Sequence, residues 1–189
     1  MQASKSFLLL QKLVEDSKRH ARALPEESSL GKKNWLGILF QLMNKRWVVP
    51  LEEIQEVIYL PQITPMPGML DWFLGVGQLR GELLTLNDLQ GLIYGVGARS
   101  NARSRVFVLR HEGELIGFVI DRLWGLIYAS EKDLDLKEGD TKTQNPGRDY
   151  YAIGKVKAGD AQYSVFSLKK ILERDLLWNI RSTMLLPEI

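Results

Sequence analysis

The chain has 189 residues, of which 45% are hydrophobic and 25% charged, with 16 Gly, 7 Pro and no Cys. That length suits one domain of moderate size, or one domain plus an extension, burying about 70% of its unfolded surface without a covalent staple. The absence of Cys excludes disulfides, iron–sulfur clusters and thiol nucleophiles, and His20 and His111 alone leave little for a histidine metal site. The net charge of +2 is uneven: residues 1–34 hold 7 Lys/Arg against 4 Asp/Glu, and the remainder holds 18 against 19.

The spacing of Phe7, Leu10, Val14, Ala21 and Leu24 predicts an amphipathic helix over 6–24, with Ser6 as its N-cap and Pro25 as its stop. It reads as a helix packing on the body, or as an adhesive helix for a partner or an anionic membrane. Phe7–Leu10 is too short an apolar run for a signal-peptide core. Leu115–Ile120 falls far short of the roughly 18 apolar residues of a membrane span. The chain reads as cytoplasmic, without direct membrane insertion. Residues 26–34 form a polar linker.

From Trp35 the texture changes to short strands. Trp35–Met43 and Arg46–Val49 flank a turn at Asn44-Lys45, which predicts a hairpin. Pro50–Ile54 suits a helical turn, Gln55–Leu60 a strand, and Pro61, Pro65, Pro67 and Gly68 a loop. Leu79–Leu86 reads as the next strand, and Asp88 as the cap of a short helix ending near Gly95. Arg105–Arg110 and Glu114–Ile120 flank a turn at Glu112-Gly113, followed by a strand over Gly125–Ala129. Tyr151–Val156 and Gln162–Phe166 flank the turn 158–160, and Ser167 caps a closing helix carrying Leu168, Ile171 and Leu172. Many short strands with frequent turns, and helices confined to the ends and one connection, predict a mainly β architecture of small barrels or a sandwich.

No catalytic constellation is complete in the sequence. No GxxxxGK[ST] or GxSxG occurs, and both histidines fall at solvated positions. The acids Asp133, Asp135, Glu138 and Asp140 mimic a calcium loop, but Lys137 and Glu138 stand where that loop needs an oxygen ligand and a glycine. Their alternation with Leu134 and Leu136 fits an edge strand. Glu52, Glu53 and Glu56 read most simply as a solvated helical turn, and the Arg99, Arg103, Arg105, Arg110 run as a solvated loop and strand margin. The chain reads as a binding protein with no enzymatic activity, cofactor or metal.

One stretch is more specific. Residues 50–91 contain Ile54-Gln55-Glu56, then Thr64–Pro67, then Gly75-Val76-Gly77-Gln78-Leu79-Arg80-Gly81, and Asp88-Leu89. Downstream come Arg105–Leu109, Leu115–Asp121 and Ser164–Leu168. This series resembles the CheW-like family of bacterial chemosensory adaptors, over about residues 35–175. The helical extension ending in Leu24-Pro25, the Trp35–Ile38 opening and Leu70–Val76 resemble the branch serving type IV pili and twitching motility. Gln78 replaces the family's usual Asn, and Thr85 and Asn87 its usual Pro and apolar residue.

The resemblance implies two intertwined five-stranded SH3-like barrels, at roughly 35–88 and 89–166 with chain exchange. An N-terminal helix and linker over 1–34, a C-terminal helix and a tail over 176–189 complete the organisation. It implies a scaffold without an active site, recruited to membrane-associated arrays, that bridges the regulatory domain of a CheA-type histidine kinase and the tip of a methyl-accepting chemoreceptor. Carried over by position, Ile54, Glu56, Arg80, Gly117 and Leu123 fall on the receptor groove, and Gly75 and Gly81 on the kinase face. Arg80 is expected to pair with Glu56 at the groove mouth, Ile54 is a groove contact or core, and Trp72 is a buried aromatic. The rival reading from another class is a small-barrel module binding RNA or single-stranded nucleic acid, which needs a basic groove interleaved with exposed aromatics. The charge of the body argues against it.

Overall fold

The computed structural model describes residues 34–97, 101–136 and 151–173. The helix expected over 6–24, the linker before Asn34 and the 176–189 tail lie outside them. Eleven strands follow in chain order. These are β1 (Asn34–Leu42), β2 (Lys45–Pro50), β3 (Glu56–Tyr59), β4 (Phe73–Leu79), β5 (Glu82–Asp88), β6 (Arg105–His111) and β7 (Glu114–Ile120), then β8 (Arg122–Ser130), β9 (Leu134–Leu136), β10 (Ala152–Ala158) and β11 (Ala161–Phe166). Two short helices follow β5 and β11: α1 (Leu89–Tyr94) and α2 (Lys169–Glu173).

The strands form two sheets. One has the order β8-β1-β2-β11-β10-β9 and the other β3-β6-β7-β5-β4. The β1–β2 hairpin sits among strands made much later, and the β6–β7 hairpin among strands made earlier. Each inserted hairpin pairs antiparallel on one side, β1 with β8 and β6 with β3. On the other side each pairs parallel, β2 with β11 and β7 with β5. Strands from both 35–88 and 89–166 therefore occur in each sheet.

Alternation along these hairpins divides the core into three. Val106 and Val108 of β6, with Leu115 and Val119 of β7, line the interior of the five-stranded sheet along with Leu84 and Leu86. Their neighbours Phe107, Leu109, Ile116, Phe118 and Ile120 face the other way, into a central cluster shared with Ile38, Phe40, Trp47, Phe166 and Ile171. Val48, Ile127, Ala129, Val156 and Val165 fill the six-stranded sheet. Strands buried on both faces read as continuous apolar runs, which is the reason for the unbroken Leu115–Ile120.

Each sheet closes through the chain that leaves its first edge strand. Beyond β3, Thr64 pairs with Val76 of β4, with N–H to carbonyl distances of 2.8 and 3.0 Å. Beyond β8, β9 pairs with β10. Both closures fall on a glycine at positive φ beside a register shift: Gly75 at 131° and Gly154 at 146°. A Cβ would lie 2.2 Å from the Thr64 carbonyl oxygen at the first and 2.1 Å from that of Asp135 at the second. Only glycine admits such an approach.

Several sequence expectations are met locally. Asp88 accepts a hydrogen bond from the Gln90 N–H at the start of α1, and Gly95 ends that helix in the left-handed region. Leu134–Leu136 is an edge strand, with Glu138 and Asp140 outside the described residues. Others need correction. The strand expected over Leu79–Leu86 is the end of β4, a two-residue turn at Arg80-Gly81 and most of β5, because both turn residues adopt positive φ, 52° and 88°. The first hairpin turns at Met43-Asn44, one residue early, with Met43 at φ 54°. Trp72 is only half-buried, and its neighbour Phe73 is the buried aromatic.

Candidate functional site

The five-stranded sheet brings together two residues that the sequence separates by 24 positions. Glu56 opens β3, one edge of the sheet, and Arg80 heads the turn that leaves β4, the other edge. Arg80 Nη2 donates to Glu56 Oε2 at 2.8 Å. The Arg80 side chain is 57% exposed and that of Glu56 8%. The pairing expected from the sequence is present, with a buried acid presenting a mostly exposed guanidinium at a sheet corner. Arg80 holds φ 52°, a conformation costing a non-glycine residue about 1 kcal/mol or more. The turn of Gly113 lies beside this one, and Arg110 joins the two by donating to both carboxylate oxygens of Glu82 and to the Gly113 carbonyl.

The other expected site residues scatter. Ile54 and Leu123 are both half-buried and both border the central cluster, so Ile54 is part core and part surface. Gly81 is exposed on the turn. Gly75 is buried, and its place is fixed by the Thr64 contact. Gly117 is buried as well and presents no surface. Its missing Cβ would lie 2.8 Å from Val106 Cγ1, and its carbonyl accepts from Asn87 Nδ2 at 3.2 Å. Asn87 is thereby accommodated inside the β5–β7 pairing.

Two features escaped the sequence reading. The first is Glu53, which is buried rather than solvated. It stands on a 3-10 turn (Leu51–Glu53) and accepts from Ser167 Oγ at 2.8 Å, Leu168 N–H at 2.7 Å and Lys169 N–H at 3.2 Å. Glu53 thus caps α2 from a distant part of the chain, alongside the expected Ser167. Burial raises its carboxyl above the ordinary value, against the lowering by those hydrogen bonds. The second is Leu83, 67% exposed on β5 three residues from Arg80. A strand position opposite Gln78 carried no sequence signal of an apolar outward face.

The arginine run does not form a free basic face. Arg105 lies over the Tyr59 ring at 4.1 Å and donates to the carbonyls of Ala102 and Ser104, while Arg110 is engaged by Glu82. Arg99 lies outside the described residues. No helix among the described residues is long and apolar enough to cross a membrane.

Comparison with known proteins bears on the family and the fold. A family model described as a CheW-like domain matches residues 36–175. The chain is 31% identical over 120 residues to Protein PilI of Pseudomonas aeruginosa, covering 64% of this chain and 67% of that one. It is 28% identical over 167 residues to Chemotaxis protein CheW of Helicobacter pylori, covering 88% of this chain and 97% of the other. The crystal structure of the scaffolding protein TtCheW from Thermoanaerobacter tengcongensis shares the fold, with a TM-score of 0.59 at 21% identity over 72% of this chain and 90% of that one.

Proposed function

Because the chain belongs to the CheW-like domain family of chemosensory scaffolds, we propose that it is a non-enzymatic adaptor coupling a methyl-accepting chemoreceptor to a CheA-type histidine kinase. Its place is on the cytoplasmic side of receptor arrays, and the similarity to PilI favours a pathway controlling type IV pili and twitching motility.

The observation that carries this reading is the Arg80-Gly81 corner: an exposed guanidinium anchored to a buried acid, with Leu83 outward beside it. A two-residue turn between paired strands is stiff, so little freedom is lost when a partner covers it. An exposed leucine next to an arginine supplies an apolar anchor with a polar margin, the composition of a small signalling interface. In this reading Gly81 and Leu83 belong to the kinase face, with Gly75 shaping it from beneath. Ile54 and Leu123, bordering one apolar cluster, take the apolar side of a receptor helix, a common mode of helix recognition. Glu56 and Arg80 stand at the mouth of that groove, and Gly117 supports it from within.

Calorimetric titration of the chain against the regulatory domain of the CheA-type kinase of the same organism tests the reading. We expect saturable one-to-one binding, weakened about tenfold or more by Leu83→Lys, with the unfolding midpoint unchanged. A folded wild-type chain that binds neither this domain nor a receptor-tip hairpin would overturn the adaptor role.

A further inference from the structure

On the six-stranded sheet, Gln41 of β1 lies opposite Arg46 of β2 on one side and Arg122 of β8 on the other. Both guanidinium groups lie over the Trp124 ring, 4.1 and 3.8 Å from its centroid. The ring N–H donates to Gln41 Oε1 at 3.2 Å, and Gln41 Nε2 donates to the Met43 carbonyl at 2.6 Å. The Met43 N–H donates to the Asp121 carboxylate at 2.6 Å, which ties the first turn to the start of β8. The Lys45 ammonium lies on the opposite face of β2, 3.9 Å from the Trp47 centroid. Met43 and Trp124 are exposed.

Anchoring a turn accounts for the ring, but not for the charge. Arg80 and Arg110 are held in ion pairs by Glu56 and Glu82. Lys45, Arg46 and Arg122 have no carboxylate partner among the described residues, and neither guanidinium has a hydrogen-bond acceptor there. An arginine held over an aromatic face has already given up rotamer freedom and keeps its N–H fork for a planar anion. Two such forks with an exposed tryptophan and methionine between paired strands form a preorganised cationic surface with an apolar centre.

We propose that Arg46, Arg122 and Trp124 form a docking surface for an acidic segment of a partner protein. Its carboxylates take the two forks, and an apolar side chain of the same segment covers Met43 and the edge of Trp124. This surface lies on the other sheet from the Arg80-Gly81 corner and stands independently of the kinase assignment. A single-stranded nucleic acid fits less well. The Trp124 ring is already occupied by guanidinium groups instead of offering a face to a base, and two cations on one ring do not track a backbone.

The test is a fluorescence anisotropy titration of the full chain with a labelled helix-forming peptide bearing Glu at i and i+4 beside Leu, and with its Glu→Gln counterpart. The Glu peptide is expected to bind, more weakly as salt rises. The combined Arg46→Gln and Arg122→Gln variant should lose about tenfold or more in affinity. Arg46→Lys with Arg122→Lys, which keeps the charge and the fold but removes the forks, should lose part of it. Lys157→Gln, an exposed cation on the opposite face of the sheet, should change nothing. No binding of the Glu peptide, equal binding of the Gln peptide, an unchanged double Gln variant, or displacement by oligothymidine would each overturn the proposal.

Discussion

The two sheets solve the same closure with different side chains. Each is sealed where the chain leaving the first edge strand meets a glycine on the last strands, Gly75 against Thr64 and Gly154 against Asp135. They part company at the corner. Glu56 pairs with Val108, four residues before the turn residue Glu112, and Arg80 heads the β4–β5 turn. The same places in the six-stranded sheet, opposite Leu39 and at the head of the β10–β11 turn, hold Gly125 and Gly159. That sheet closes with no ion pair there. Closure is a property of the backbone, and the Glu56–Arg80 pair is an addition to one sheet alone.

The strongest challenge to this comparison is to fill the glycines. Gly75→Ala and Gly154→Ala each force a Cβ onto a carbonyl at positive φ, and each should cost about 3 kcal/mol in urea unfolding. A clear inequality between them would show that the sheets do not close alike.

Next come the helix caps. Glu53→Ala leaves α2 donors unpaired and should cost about 2 kcal/mol, whereas Asp88→Ala at α1 should cost about 1 kcal/mol. Amide exchange over Leu168–Lys170 should accelerate only in the first. Because burial raises the Glu53 carboxyl above 4.5, its contribution to stability is complete below pH 4.5 and is lost as pH rises through the folded value. Glu53→Gln should remove that fall from the pH–stability curve.

Smaller effects follow at the corner. Arg80→Ala should cost no more than about 1 kcal/mol, since the guanidinium is mostly exposed. Arg80→Gly should recover most of that loss, because glycine accepts φ 52° without strain. Leu83→Lys should leave the unfolding midpoint where it is. A large loss of stability from Arg80→Ala would make the pair a structural clamp and erase the contrast between the sheets.

What the sequence discloses is what local chemistry dictates. Asp88 and Gly95 bracket α1 through their own backbone geometry, and Gly113 and Gly159 mark their turns. The Glu56–Arg80 pair was legible through a motif rather than through spacing. Sheet order was not legible, because β2 meets β11 and β5 meets β7 through pairings that no neighbouring residue announces. Glu53 was misread for the same reason: its partners stand 114 to 116 positions away. Gly117 was legible only through the family motif, and its missing Cβ leaves room for Val106.

The exchange of hairpins also sets an order of events during synthesis. Residues 56–120 hold every strand of the five-stranded sheet, so that sheet can close once Ile120 has left the ribosome. β1 and β2 are made first and wait for β8 to β11, and through that interval Leu39 and Val48 lack the cover they have in the finished molecule. Contacts of such long sequence separation slow folding and leave apolar surface open meanwhile. The nascent chain is therefore most exposed to aggregation late in translation, after one sheet is complete and before the other can close.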